Sequence, residues 1–267
     1  MDCATLCRVR ARSVALLAAT LAVLTACTSG GLDAPGPDVS RLRTQVLAEQ
    51  PHDRTAFTEG LELAGDVLYE GTGLAGRSQL RELDPATGAE RRAADLPDGM
   101  FGEGVTVVGS RIWQLTYQDG YALEWDRASL TVQRRVPITG EGWGLCFDGT
   151  RLVRTDGTAR LRFHDPATFA ETGSVPVTLD GQPLPEINEL ECAGGQVWAN
   201  VWKTDRIVAI DPASGHVTAV VDASGLLPAA QRDGVDVLNG IAAVGPGEYL
   251  LTGKFWPTSF RVRFVAQ

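Results

Sequence analysis

From about residue 44 onward the chain is a succession of short apolar runs rich in valine, leucine, isoleucine and tryptophan, broken by clusters of Gly, Pro, Asp, Ser and Thr. The stretch from Gln196 to Val201 (QVWANV) and the next run, Arg206 to Ile210 (RIVAI), are representative. Runs this short, bounded by turn formers and enriched in β-branched and aromatic residues, predict strands; a helix needs a longer stretch with a 3.6-residue period. Only Leu226 to Arg232 reads as helical, for one or two turns on a connection.

Two signals recur along this pattern. The first is a tight motif that leads into a strand: Glu59-Gly60-Leu61, Glu103-Gly104-Val105, Trp143-Gly144-Leu145, Asn188-Glu189-Leu190 and Asn239-Gly240-Ile241. With Gly60, Gly104, Gly144, Glu189 and Gly240 as anchors, the spacings are 44, 40, 45 and 51 residues, which are propeller-blade lengths. The second signal follows the first four anchors by 24, 22, 21 and 22 residues, beginning at Asp84, Asp126, Asp165 and Asp211. In three of these Asp-Pro-Ala is followed by Thr or Ser, a tight turn in which proline presets φ and the flanking side chains bond the backbone. The pattern predicts an all-β, five-bladed β-propeller of four strands per blade, with the Asp turn joining the third and fourth strands. A β-sandwich shares the short strands but has no reason to repeat one hairpin at one offset from one anchor. The fifth repeat runs out of residues before its fourth strand, and the segment around Thr44 to Ala48 (TQVLA) is the expected donor that covers the open edge.

Ahead of this domain, Arg8, Arg10 and Arg12 precede an apolar run from Val14 to Leu24 and then Leu24-Thr25-Ala26-Cys27. That is a signal-peptide pattern over residues 1–26, too short in its apolar part to span a bilayer. Its end is similar to a bacterial lipobox, which makes Cys27 the acylated first residue of a lipoprotein held extracytoplasmically at the bacterial cell membrane; the alternative is an ordinary secretory signal. Residues 27–43 are rich in Gly, Pro and Ser and read as a flexible tether, leaving 44–267 as the propeller domain.

The net charge of −9 becomes about −11 once the signal is removed. An acidic surface disfavours nucleic acid and attachment to anionic lipid, so membrane association should come from the acyl anchor. Cys146 and Cys192 are the two cysteines left to the mature domain; both follow a repeat anchor closely and precede a turn glycine (Gly149, Gly195), and outside the cytoplasm they are expected to form a disulfide. The three histidines are scattered and no CxxC occurs, so no metal site and no cofactor are expected.

In a propeller the anchors converge on one mouth of a central channel, which brings Glu59, Glu103, Trp143, Asn188, Glu189 and Asn239 together. Glu189, Glu191 and Asn239 read best as groups that satisfy backbone at blade junctions. Glu103 differs: it lies between Gly102 and Gly104, where little shields its carboxylate. Most of the six tryptophans read as packing, but Trp143, between two glycines, has a face free for a ligand.

The segments FTEGLE (57–62), YEGTG (69–73), FGEGVT (101–106), QLTY (114–117), EGWGL (141–145), INELE (187–191), ANVWKTDRI (199–207), DVLNGIA (236–242) and TGKFWP (252–257) resemble the plant and bacterial type of glutaminyl-peptide cyclotransferase, from about residue 44 to the end. The resemblance implies a metal-independent acyltransferase that closes the N-terminal glutamine of peptides or proteins into pyroglutamate with loss of ammonia. It also implies a catalytic Glu103, a substrate-orienting Asn188, a lysine at Lys254, aromatic walls at Trp143 and Trp202, and Glu59 lining the same pocket. Tyr117 stands where the family usually has tryptophan, and Lys203 where it commonly has glutamine. The expected partners are peptides with N-terminal glutamine, and the chain is expected to be a monomer. The rival from another class is a non-catalytic propeller lipoprotein that presents its rim to proteins.

Overall fold

The computed structural model describes residues 38–267; the signal segment 1–26 and Cys27 lie outside the described residues. The described chain is all-β, with twenty-two strands and two short 3-10 turns. Three four-stranded antiparallel sheets, one eight-stranded sheet and a two-stranded ribbon account for the strands. The first sheet runs from Thr58–Ala64 through Val67–Thr72 and Gln79–Leu83 to Glu90–Asp95, and the second from Gly102–Val108 through Arg111–Thr116 and Tyr121–Asp126 to Thr131–Pro137. The third comprises Leu145–Phe147, Leu152–Arg154, Arg160–His164 and Glu171–Pro176. One half of the eight-stranded sheet is Ile187–Ala193, Gln196–Val201, Arg206–Ile210 and Val217–Asp222; the other is Leu238–Gly245, Glu248–Gly253, Thr258–Ala266 and, at its outer side, Ser40–Pro51.

The N-terminal strand pairs antiparallel with the last strand of the chain, Thr44 opposite Phe264 and Ala48 opposite Arg261, and also makes a short parallel contact, Ser40 to Arg43 against Ala219 to Asp222. The strand thus begins at Ser40, inside the segment 27–43 read as tether: its first residues alternate half-buried and exposed positions and find a second partner strand. The helical expectation over Leu226 to Arg232 reduces to one 3-10 turn, Ala229–Gln231, entered through Pro228.

The first strands of the five four-stranded units touch in cyclic order, each against the next and the fifth against the first. Glycine at the anchors permits this approach. A Cβ on Gly104 would stand 2.6 Å from the Leu145 nitrogen and the Trp143 carbonyl, and one on Gly144 would overlap the Asn188 carbonyl. At the fourth anchor, where glycine is replaced, the Glu189 carboxylate accepts from the backbone nitrogens of Leu61 (3.1 Å) and Ile241 (2.8 Å), tying three units together.

The repeated Asp turns form as their chemistry requires. Asp84 Oδ1 accepts from the Ala86 and Thr87 nitrogens and from Thr87 Oγ1, and Asp165 does the same for Ala167 and Thr168. Four residues after each Asp the backbone turns left-handed, at Gly88, Leu130, Phe169 and Gly215. A non-glycine residue there costs about 1 kcal/mol or more, and burial of the Leu130 and Phe169 side chains offsets it.

Cys146 and Cys192 are disulfide-bonded across two neighbouring units, Cα atoms 5.5 Å apart and 46 residues apart in sequence. Closing a loop of that length removes unfolded-state entropy worth up to about 4 kcal/mol. Replacing both cysteines by serine should therefore lower the unfolding free energy by about 2–4 kcal/mol, read from urea unfolding, with a steeper unfolding slope because the unfolded chain without the cross-link exposes more surface.

Candidate active site

In an antiparallel pair the start of one strand and the end of the next lie at the same edge. Glu59, Glu103 and Asn188 sit at the starts of first strands, with Phe57, Phe101 and Trp143 at or just before them; Tyr117, Trp202 and Lys254 each follow the end of a second strand. Ring closure of the first strands gathers these edges, and all nine residues line one cavity of about 180 Å³. Every residue expected of the site is there: Glu59, Glu103, Tyr117, Trp143, Asn188, Trp202 and Lys254. Phe57 and Phe101 were not singled out from the sequence, because a phenylalanine at a strand start reads as core. The cavity is smaller than the ~300–1,000 Å³ of typical small-molecule sites and suits one amino-acid residue. Two wider grooves, one of about 400 Å³ (Lys203, Arg232, Asp205 and Asp236 among its lining) and one of about 340 Å³ that shares Phe57 with the cavity, hold none of its buried carboxylates.

The polar groups fall into two sets. Glu59 is fully engaged: Lys254 Nζ donates to Oε1 at 2.7 Å and Asn239 Nδ2 to Oε2 at 3.1 Å, while Asn239 Nδ2 also reaches the Thr58 carbonyl at 2.9 Å. Asn239 therefore satisfies backbone, as read from the sequence, and braces Glu59 as well. Glu103 Oε2 and Asn188 Oδ1 are buried and make no hydrogen bond among the described residues. Buried polar atoms are normally paired; these two stand in the cavity wall, and the Glu103 carboxyl, when protonated, can also share its proton with Glu59.

The remaining wall is aromatic. Trp143 and Trp202 meet edge to face with centroids 5.4 Å apart, Phe101 lies 5.7 Å from Tyr117 and 6.0 Å from Phe57, and Lys254 Nζ stands 4.5 Å above the Phe57 ring. Gly157, with φ of 76°, lets the Trp143 indole pass where a Cβ would stand 2.7 Å from its ring. The other tryptophans pack elsewhere: Trp113 and Trp125 are buried in the core, Trp198 packs at a tilt against Tyr249 and Phe264, and Trp256 donates to the Asp236 carbonyl.

Burial pushes the Glu103 carboxyl well above its usual range; the Glu59 charge adds to this, Lys254 opposes it and Glu141 adds a little more. Burial raises Glu59 to about 7 even against the attraction of Lys254. Three further carboxyls on the first strands are raised by the same cause, Glu189 well above its usual range, Glu62 to about 8 and Glu191 to about 7. Each of these groups holds more proton in the folded than in the unfolded chain between pH ~4.5 and its folded value. Their contribution is thus complete at the acid end and lost as pH rises through 7 to 8. His164, lowered by burial, works the other way below about pH 6.5. Stability measured by urea unfolding should fall from pH 5.5 to 8.5, and Glu62→Gln should flatten the fall; a rising curve would contradict the burial of these carboxyls.

The model of the family described as glutamine cyclotransferase matches residues 15–264. A glutaminyl-peptide cyclotransferase of Arabidopsis thaliana is 38% identical over 226 residues, covering 82% of this chain and 70% of the plant protein. The crystal structure of Myxococcus xanthus glutaminyl cyclase superposes with a TM-score of 0.80 at 39% identity, covering 86% of this chain and all of that one. A chain from a nidogen/laminin complex, 14% identical with a TM-score of 0.52 over 74% of this chain and 73% of its own, shares the fold alone.

Proposed function

Because the chain belongs to the glutamine cyclotransferase family, we propose that it converts the N-terminal glutamine of peptides and proteins to pyroglutamate, releasing ammonia. The observation that carries this reading is the pairing, in one small aromatic cavity, of two buried oxygens that accept no hydrogen bond among the described residues, Glu103 Oε2 and Asn188 Oδ1, with an engaged ion pair, Glu59 and Lys254.

The α-amine of glutamine must attack the carboxamide carbon of its own side chain, so the site has to fold that side chain back and hold both groups in reacting geometry. The walls of Trp143, Trp202, Tyr117, Phe57 and Phe101 do this by confinement. As the new N–C bond forms, the Glu103 carboxylate takes one proton from the attacking amine; as the old C–N bond breaks, it gives that proton to the departing nitrogen, and ammonia leaves. A free α-amine has a pKa of about 7.7–8.0. A carboxylate raised by burial is closer to that value than an exposed one, which makes the transfer nearly even in both directions. Asn188 Oδ1 accepts from the amine or the carboxamide, and Lys254 stabilises negative charge as the carbonyl oxygen becomes an oxyanion.

Supporting a metal-independent aminoacyltransferase, each histidine is engaged elsewhere: His52 with Glu70 and the Trp256 carbonyl, His164 with the Phe169 carbonyl, His216 with Thr178. The cyclic contact of five first strands supports the reading of the fold as a five-bladed propeller whose last blade takes its fourth strand from the N-terminus. Residues 1–26 remain proposed as a lipoprotein signal, Cys27 as the acyl anchor and the chain as a monomer.

The test is to incubate the domain with a glutamine-initiated peptide and look for loss of ammonia by mass. An asparagine-initiated control should be unchanged, because its side chain is one methylene short of the five-membered ring. Absence of the mass loss from the glutamine peptide would end the reading.

A further inference from the structure

Just outside the cavity, Glu141 occupies a position that the reaction scheme above does not use. Its Oε2 accepts from the Trp143 indole nitrogen at 2.9 Å and its Oε1 from Gln118 Nε2 at 2.7 Å. The loop that carries it is held with unusual firmness. Arg154, fully buried and with no carboxylate partner among the described residues, donates from Nη1 to the Glu141 carbonyl (3.0 Å) and from Nη2 to the Thr139 carbonyl (3.1 Å). Gly142 donates to the Thr116 and Tyr117 carbonyls, and Trp143 is bonded through its nitrogen to Thr155 and through its carbonyl to Gly104. A buried guanidinium spent on two carbonyls is costly, and what it fixes is the backbone from which Glu141 reaches the indole.

We infer that Glu141 is a positioning residue of the cyclisation site, orienting the Trp143 indole through one carboxylate oxygen while its negative charge lies beside the wall of the cavity that Glu103 also lines. The inference rests on the cyclotransferase reading for its second half only, since the indole contact is independent of any reaction. The indole bond decides where the aromatic wall stands. A tryptophan with free χ angles would sample several rotamers, and its edge-to-face contact with Trp202 would not hold one cavity shape. The charge acts on the proton relay. The charged and titratable groups whose fields act on Glu103 are Glu59, Lys254, Glu141 and the Tyr117 hydroxyl, with Asp236 acting on Glu59. Of these groups, Glu141 is the one that hydrogen-bonds the Trp143 indole.

Two substitutions separate the two parts. Glutamine at 141 keeps an acceptor for the indole and removes the charge; alanine removes both. Glu141→Ala should raise KM about tenfold, the scale of losing one charge-assisted hydrogen bond, and Glu141→Gln should raise it distinctly less. Both should move the acid limb of kcat/KM to lower pH, because a carboxylate relieved of a neighbouring negative charge loses its proton more readily. The indole's orientation is read without turnover by near-ultraviolet circular dichroism, with Trp143→Phe as reference: Glu141→Ala should lose the signal assigned to Trp143 and Glu141→Gln keep it. A Trp143 signal unchanged in Glu141→Ala overturns the positioning role, whether or not the wild-type protein cyclises glutamine. An unmoved acid limb in Glu141→Gln of an active enzyme overturns the electrostatic one, and an inactive wild type overturns the cyclotransferase reading and the electrostatic half with it. If the alanine variant does not fold, Glu141→Leu, which fills the space without offering an acceptor, replaces it in the circular-dichroism comparison, and an unchanged Trp143 signal there overturns the positioning role.

Discussion

Glu103→Gln should yield a folded protein that releases ammonia from a glutamine-initiated peptide at least about a thousandfold more slowly than the wild type. General acid-base catalysis by one positioned group is worth roughly 10²–10⁴ in rate, and here a single carboxylate serves both proton transfers, so the upper part of that range applies. The variant folds because the substitution removes a cost. Burial and the Glu59 charge already hold the Glu103 carboxyl toward its neutral form, and an amide of the same shape imitates that form without the penalty of ionising in a buried site. Its melting temperature should equal or exceed that of the wild type at pH 8, where the wild-type carboxyl is under the most pressure to ionise. The contact with the Glu59 carboxyl is kept, because the glutamine amide N–H can donate there as the protonated Glu103 carboxyl does. Ammonia release measured by a coupled assay, beside a thermal melt, separates the two effects. Turnover within tenfold of the wild type would remove Glu103 from the chemistry.

The chain made its ring legible through features that close packing imposes. First strands that touch need a small residue where they cross, so the anchors recur at Gly60, Gly104 and Gly144, and where the fourth repeat lacks glycine, Glu189 bonds its neighbours instead. The Asp turns recur because one carboxylate closes the same hairpin each time. The donor of the missing fourth strand is also legible, although its first residues read as tether, since alternation over Ser40 to Arg43 is too brief to distinguish from a polar linker. The site was only half legible from the residues. The isolation of Glu103 and Trp143 between glycines shows in the sequence, but Tyr117, Trp202 and Lys254 follow ordinary strands, and their convergence depends on hairpin geometry; the family resemblance supplied them. Phe57 and Phe101 lie inside the same motifs but carry no chemical mark. Glu141 was hidden for a different reason: its importance lies in a contact two residues away, which no periodicity encodes.

Lys254→Met should lower kcat/KM at pH 7 by about 10²–10³, the range for loss of one preorganised donor to a developing oxyanion, and should shift the acid limb to higher pH. Lys254 is the one cation lining the cavity, 2.7 Å from Glu59. It lowers the proton affinity of both carboxyls, against burial that raises both. Without it, Glu59 loses its ion partner in a buried site and Glu103 loses the attraction that favours its carboxylate. Removing one member of a buried pair is more damaging than removing both, because the residual charge is uncompensated. The double variant Glu59→Gln/Lys254→Met should therefore be more active at pH 7 than Lys254→Met alone. Its acid limb should lie below that of the lysine variant, because the repulsion of Glu103 by Glu59 has gone with the ammonium. The single Glu59→Gln should move the limb below that of the wild type, since Glu103 then feels the ammonium without the opposing carboxylate. Opposite shifts from the two single substitutions, with a coupling of about 1–3 kcal/mol in the cycle, are the expected signature. Limbs that move in the same direction, or a double variant that simply multiplies the two losses, would mean that Glu59 and Lys254 do not act on Glu103 as a pair.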